Sequence, residues 1–163
     1  MLVDIVFRYR TLIGKCDLGL GLDWDEIDEV SGIEAAFVPG ADDRRAAGGR
    51  RFRREPTKLV ALMRGDRIND RVDVVEIGPG GLVCRHAPYV ARGETVEIIV
   101  EIGDESYRFS ARGVWLADDG DDYRVGFAFV GMPVRLRTVA LTSSAVVAGS
   151  GASVADLVDQ IAA

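Results

Sequence analysis

The sequence predicts a mainly β protein built around a six-stranded antiparallel β-barrel, with a helical extension before the barrel and helices after it. Three observations predict this class. Six segments between residues 57 and 130 are rich in β-branched or aromatic residues, the turns between them are short, and the apolar residues on either side recur at helical spacing. We expect residues 1–49 to form the helical extension and a basic linker, residues 50–132 the barrel, and residues 133–163 a helical tail.

The chain has the size and composition of one folded domain. It has 163 residues, of which 48% are hydrophobic and 28% charged, and its formal net charge is −6. Its longest uncharged stretch, residues 138–155, contains too many serines and glycines for a membrane span. The first residues form an apolar run that contains charged residues and is too short for the hydrophobic segment of a signal peptide. We therefore expect a cytoplasmic protein with no transmembrane helix and no membrane insertion.

Two helices are predicted before the barrel. Apolar residues recur at helical spacing from Leu2 to Ile13, which indicates a first amphipathic helix. Asp23 followed by Glu26 is typical of a capping box, so a second helix should start at Trp24 and run to about residue 30. Its apolar residues are interpreted as a packing stripe: Trp24, Ile27 and Val30. A linker with proline and glycine punctuation follows over residues 39–49.

The barrel strands are predicted from alternating segments bounded by turn residues. They span residues 57–64, 70–77, 81–85, 94–102, 107–117 and 123–130. The connections leave no room for crossover helices, so we expect antiparallel neighbours in a meander that closes into a barrel. Beyond Met132, one helix is expected through residues 135–141, and a last short helix is expected with Ser153 as its N-cap.

Basic residues are concentrated in one part of an acidic chain. Residues 44–71 carry a local charge of +7, while the rest of the chain carries −13. A nucleic-acid-binding domain is expected to spread basic residues over one face of a basic fold, so this distribution argues against nucleic acid as a partner. A compact arginine cluster suits a small polyanion better. For Arg44 and Arg45, the favoured interpretation is a solvated linker.

The densest part of this cluster, residues 50–56, lies immediately before the first predicted strand. Guanidinium groups are permanently charged and present a planar fork of donors that fits phosphate oxygens or the acceptor edge of guanine. They also stack on purine faces. These side chains therefore suit a ligand that offers phosphates and purine bases.

Two short motifs flank the first two predicted strands. Arg50 and Arg54, with Arg51 adjacent, form an RxxxR segment before the first strand. The second motif ends the next strand and consists of Glu76, Gly78 and Gly81. In order, spacing and strand context, the two motifs resemble those of the PilZ domain family, bacterial receptors for cyclic di-GMP. The resemblance covers residues 50–132, because the segments around Trp115 and over residues 123–129 also resemble the family's closing strands.

The resemblance implies a ligand, a set of binding residues and a role. The ligand is cyclic di-GMP, and the residues at the matching positions are Arg50, Arg51, Arg54, Glu76, Gly78 and Gly81. The second motif departs from the family twice, since Glu76 replaces Asp or Asn and Gly78 replaces Ser, so we expect weakened binding. The role is that of a signalling adaptor that regulates a protein partner in motility, pilus, polysaccharide or virulence control. The alternative is a domain that has lost the nucleotide and works by protein–protein interaction.

No enzymatic activity, metal or further cofactor is expected. Cys16 and Cys84 match no metal or redox spacing, and Cys84 is interpreted as a buried strand thiol. His86 is the one histidine of the chain and is interpreted as structural. The sequence contains no Gly-rich phosphate loop, nucleophile elbow or pair of carboxylates in an apolar setting.

Overall fold

Residues 1–45 and 49–138 are described by a computed structural model, and they form three helices followed by six strands. The helices are α1 Leu2–Asp17, α2 Trp24–Ala36 and α3 Ala41–Arg45. The strands are β1 Glu55–Arg64, β2 Asn69–Gly78, β3 Gly81–Ala87, β4 Thr95–Ile102, β5 Glu105–Asp119 and β6 Asp122–Arg137. The strands pair antiparallel and close into one barrel in the order β1-β2-β3-β6-β5-β4. The predicted mainly β class and six-stranded antiparallel barrel are confirmed.

The strand order shows that the predicted meander is wrong. β3 pairs with β6, and β4 pairs with β1, so the connection from β3 to β4 joins strands that are not neighbours. Tight turns force neighbouring strands to pair, whereas residues 88–94 are long enough to cross the barrel. Val90 of this connection is buried in the barrel core, and the amide of Gly93 donates to the carbonyl of Gly113 at 2.8 Å.

The predicted helix after Met132 is also wrong over its described part, because β6 continues to Arg137. Residues 134–137 pair with the start of β5, in the register Val134 to Arg108 and Arg137 to Glu105. Pro133 lies in a bulge between the pairs Arg108–Val134 and Ser110–Val130, where its missing N–H costs no ladder hydrogen bond. Residues 139–141 and the helix expected after Ser153 lie outside the described residues.

The core includes side chains of α1 as well as those of the strands. α1 buries one residue in three along its inner face: Val3, Val6, Tyr9 and Leu12. Val3 and Val6 belong to the same buried cluster as the barrel side chains. Cys84 of β3 is also fully buried there, as predicted, and burial raises the pKa of its thiol to about 12. α1 is therefore an integral part of the barrel core.

α1 contacts β6 where that strand bends. Gly131 has a φ of 66°, and its carbonyl accepts a hydrogen bond from Arg10 Nη2 at 3.0 Å. A Cβ at Gly14 would lie 2.9 Å from Met132 Cε and 3.0 Å from Met132 Cβ, so a larger residue there would require Met132 to shift. These contacts fix the helix across the strand.

α2 begins at the predicted capping box and extends beyond its predicted end, to Ala36. The Glu26 amide donates to Asp23 Oδ1 at 2.8 Å, and the Asp23 amide donates to Glu26 Oε2 at 3.2 Å. Lys15 Nζ lies 2.6 Å from Glu26 Oε1, which joins α2 to α1.

Among the described residues, none of the helices α1, α2 and α3 is both long enough and apolar enough to cross a membrane.

The predicted packing stripe on α2 is wrong. Trp24 is 83% exposed and Ile27 is 40% exposed. α2 instead contacts α1 through ion pairs, among them Arg8 with Glu29 at 3.0 Å. Three-residue spacing identifies a helix face, but it does not determine which face meets the rest of the protein. The predicted linker over residues 39–49 also differs, because part of it forms α3.

Candidate functional site

The arginine segment, residues 49–54, lies between α2 and the turn that joins β2 to β3. On the α2 side, the Arg53 amide donates to the Phe37 carbonyl at 2.9 Å. On the barrel side, the backbone of Arg53 and Arg54 passes directly over Gly78. The segment is therefore fixed between the helices and the barrel immediately before β1 begins.

A pocket of about 240 Å³ lies between this segment and the barrel. Its lining combines the arginine segment, the β2–β3 turn and neighbouring positions of β5 and β6: Gly49, Arg50, Arg51, Phe52, Arg54, Gly80, Gly81, Val114 and Ala128. Three guanidinium groups and no carboxylate are among these residues. The pocket is therefore cationic. An aromatic ring and glycines, which have no side chains, lie beside the charges.

Two other cavities differ from it in charge. One of about 420 Å³, where β1, β2 and β4 meet, is lined by one cation and one acid, Arg71 and Glu101, beside apolar residues. Another, of about 470 Å³ between α1 and α2, includes Arg8 together with Asp4 and Glu29. Neither has an excess of positive charge. Of the three, the smaller pocket at the arginine segment suits an anion best.

Arg51 joins the pocket to α2. Its Nη2 donates to Glu34 Oε1 at 3.0 Å, and its guanidinium lies 5.0 Å from the centre of the Phe52 ring. The Arg51 side chain is 74% exposed, so the charged end remains in contact with solvent. A ligand phosphate can therefore reach this group.

Tyr9 of α1 supports both partners of Arg51. Its hydroxyl donates to Glu34 Oε1 at 2.9 Å, and its ring meets Phe52 edge to face, with centroids 5.4 Å apart. Burial, reinforced by the hydrogen bond to Glu34, raises the pKa of Tyr9 to about 12. The tyrosine therefore stays protonated at neutral pH and remains a donor to this carboxylate.

Arg54 joins the pocket to β6. Its Nη2 donates to the carbonyl of Phe127 at 3.0 Å, across the barrel rim. A hydrogen bond from a charged donor is stronger than a neutral one, so this contact fixes the end of the arginine segment. The structure thus gives Arg54 a structural contact that the sequence motif does not indicate.

Gly78 and Gly81 are required by close backbone approaches. A Cβ on Gly78 would overlap the Arg53 carbonyl oxygen, and a Cβ on Gly81 would overlap the Phe127 carbonyl oxygen. Neither residue has a positive φ, since the positive values belong to other glycines. Gly78 thus allows the arginine segment to lie against the barrel, and Gly81 allows β3 to lie against β6.

Glu76 is paired within the barrel and does not line the pocket. Its Oε1 accepts a hydrogen bond from Arg124 Nη2 at 3.2 Å, and the pair is partly exposed. The structure therefore brings together four of the six residues that the sequence singles out: Arg50, Arg51, Arg54 and Gly81. Glu76 and Gly78 lie nearby in β2 but outside the lining.

Several residues of this region carry no signal in the sequence. Val114 and Ala128 reach the pocket because β5 and β6 pair beside β3. Glu34 reaches Arg51, and Tyr9 reaches Glu34, because α1 packs on the barrel and α2 packs on α1. A comparison of the chain with models of known protein families finds no match, and a comparison with curated proteins finds none either.

Proposed function

We propose that this protein binds cyclic di-GMP at the arginine pocket and acts as a signalling adaptor of the PilZ type. The observation that carries the proposal is the convergence of Arg50, Arg51 and Arg54 on one pocket beside the β2–β3 turn. The adaptor role, with a regulatory protein partner in motility, pilus, polysaccharide or virulence control, follows from the resemblance of the two motifs. In this role the protein acts as a receptor and not as an enzyme.

The pocket offers complementary groups for each part of such a ligand. Guanidinium groups donate hydrogen bonds to phosphodiester oxygens, and they also donate to the O6 and N7 edge of guanine. Phe52 and the arginine planes supply faces on which a purine stacks. Gly80 is exposed at the turn and has no side chain, so the backbone there is accessible to the ligand.

Binding should be weaker than a complete second motif would give. The carboxylate of Glu76 is engaged by Arg124, so contact with a guanine edge requires that pair to open. Gly78 supplies no hydroxyl. Losing one neutral hydrogen bond costs about 0.5–1.5 kcal/mol, which is at most about tenfold in affinity.

The test is a calorimetric titration of the full chain with cyclic di-GMP, with GTP and a linear guanine dinucleotide as comparison ligands. We expect saturable binding of the cyclic dinucleotide and weaker binding of the other two, because they do not present two phosphodiesters in one compact ring. Absence of binding, or equal binding of all three, would contradict the proposal.

A second candidate function is supported by the exposed face of α2. Trp24 at 83% exposure and Ile27 at 40% lie beside two loop residues that are more than two-thirds exposed: Leu18 at 68% and Leu20 at 69%. Exposed tryptophan is typical of protein interaction sites. Asp25 and Asp28 flank this face and form no ion pair within the described part of the chain, which favours a cationic, apolar protein surface as the partner.

A synthetic amphipathic helix of leucine and lysine tests this second function. Binding should shift the fluorescence of Trp24 to shorter wavelength, and binding measured by calorimetry should be lost in Trp24→Ala. The same peptide with glutamate in place of lysine is the matched control and should not bind. If Trp24→Ala binds the cationic peptide as well as the parent protein does, this surface is not the docking site. A concentration-dependent mass in sedimentation would instead assign the face to a second copy of the chain.

A further inference from the structure

Arg51, in the pocket lining, is already paired with a carboxylate of the protein itself. Arg51 Nη2 lies 3.0 Å from Glu34 Oε1, with the two side chains 74% and 34% exposed. Ion pairs with this much exposure are individually weak, because water solvates both partners when they separate. The pair can therefore exchange with an anion from solution.

Glu34 is held in position from its other side. The Tyr9 hydroxyl donates to the same oxygen, Oε1, at 2.9 Å. α2, which carries Glu34, is anchored on α1 by Lys15 with Glu26 and by Arg8 with Glu29. The carboxylate is thus fixed at the edge of the arginine segment before any ligand arrives.

We propose that Glu34 competes with a ligand phosphate for Arg51 and thereby sets the affinity of the pocket. The proposal rests on the proposed function, since it concerns the same site. A carboxylate and a phosphodiester present the same kind of charged oxygen to a guanidinium fork. A phosphate at Arg51 must either displace Glu34 or remain close to its negative charge, and both alternatives oppose binding.

The competition also links the pocket to the helices. The arginine segment contacts α2 through the Arg51 side chain and through the Arg53 amide, which donates to the Phe37 carbonyl. A bound phosphate replaces Glu34 as the partner of Arg51, whereas the hydrogen bond from the Arg53 amide to the Phe37 carbonyl remains. Binding therefore frees Glu34, whose other partner is Tyr9 of α1, without detaching the segment from α2.

The experiment measures the affinity for cyclic di-GMP by calorimetry in a double-mutant cycle at Glu34 and Arg51. We expect Glu34→Gln to bind about three- to tenfold more tightly than the parent, because one exposed ion pair and one nearby negative charge are removed. In the Arg51→Ala background, Glu34→Gln should change the affinity much less. Glu29→Gln is the matched control, since it removes the same charge from the same helix but its partner is Arg8.

Each outcome decides between the claims. The proposal is supported if the parent binds cyclic di-GMP and if Glu34→Gln, but not the control variant, binds it more tightly. Measurable binding with no gain in Glu34→Gln overturns it and leaves the proposed function standing. An equal gain in Glu29→Gln, or a full gain in the Arg51→Ala background, also overturns it, because the effect is then one of net charge. Absence of binding in every variant, with unchanged thermal unfolding, overturns both.

Discussion

At the scale of single residues, Arg50 and Arg54 occupy equivalent positions of the RxxxR segment. Both line the pocket, while Arg54 also donates to the Phe127 carbonyl at 3.0 Å. The repeated arginines could be read from the sequence. This second contact could not, because it depends on β6 lying beside the segment.

Truncating either arginine should therefore remove a charge from the pocket lining. We predict that Arg50→Ala and Arg54→Ala both abolish measurable binding of cyclic di-GMP, since a charge-assisted hydrogen bond is worth about 1.5–3 kcal/mol. Arg54→Ala should in addition lower the thermal unfolding midpoint, because the barrel loses its contact with the segment. Calorimetry and melting curves measure the two effects. Arg44→Ala, which lies outside the pocket lining, is the control and should change neither. Unchanged affinity in both variants would show that the segment is only a linker.

Gly78 shows how the structure reverses an expectation drawn from a motif. By the motif alone, Glu76→Asp with Gly78→Ser should restore hydrogen bonds and tighten binding. In the structure, a Cβ on Gly78 overlaps the Arg53 carbonyl oxygen. We predict that Gly78→Ser destabilises the protein by about 1–3 kcal/mol, as overpacking does, and weakens ligand binding by displacing the arginine segment.

Gly32 provides the matched glycine control for this prediction. It lies within α2, and no atom lies within 4 Å of a Cβ built there. Gly32→Ala should therefore stabilise the protein by about 0.5–1 kcal/mol through helix propensity. Urea unfolding of both variants gives the comparison. A neutral Gly78→Ser would mean that the segment moves aside at little cost.

At the scale of elements, α1 acts as part of the barrel. Leu12 is completely buried, whereas Ile5 on the same helix is 41% exposed. We predict that Leu12→Ala lowers the free energy of unfolding by about 2–5 kcal/mol, as for other buried leucines. Ile5→Ala should lower it by much less. The prediction fails if Leu12→Ala leaves the unfolding of the barrel, followed by circular dichroism, unchanged.

The joint between α1 and β5 gives a pH dependence with a definite sign. The Tyr107 hydroxyl donates to Asp4 of α1 and to Glu105, and this hydrogen bond holds the pKa of Asp4 below its usual range. A carboxyl with a depressed folded pKa adds stability above its unfolded pKa and loses it as the pH falls through the folded value.

Removing the Tyr107 hydroxyl should therefore destabilise the protein less at low pH than at pH 7. We predict that Tyr107→Phe destabilises the protein at pH 7 and that the difference from the parent shrinks as Asp4 becomes protonated. Urea unfolding at pH 7 and at low pH measures this difference. Tyr123→Phe, in β6, is the control. An identical difference at both pH values would contradict the assigned role of the Asp4 contact.

Strand positions were predictable from the sequence, but strand partners were not. Alternation and turn residues located all six strands, because burial on one face requires a period of two. The pairing of β3 with β6 depends on the path of residues 88–94, which no local pattern encodes. Similarly, the expected helix beyond Met132 is absent from its described part, because Pro133 lies in a bulge within β6 and the strand continues after it.

At the scale of the whole molecule, an acidic protein carries one cationic pocket where its helices meet its barrel. The arginines could be identified because their density is unusual in a chain of net charge −6. Glu34 and Tyr9 could not, because Glu34 reaches Arg51, and Tyr9 reaches Glu34, only through the packing of α1 and α2. We propose that cyclic di-GMP binds at this junction.

The most direct test records the backbone amide resonances of the full chain, labelled with ¹⁵N, while cyclic di-GMP is added. We expect saturable shifts concentrated at the pocket lining, at Gly49, Phe52, Gly80, Gly81 and Ala128. Resonances of the cavity where β1, β2 and β4 meet should stay in place. Shifts centred on that other cavity, or no shifts at saturating nucleotide, would contradict the claim.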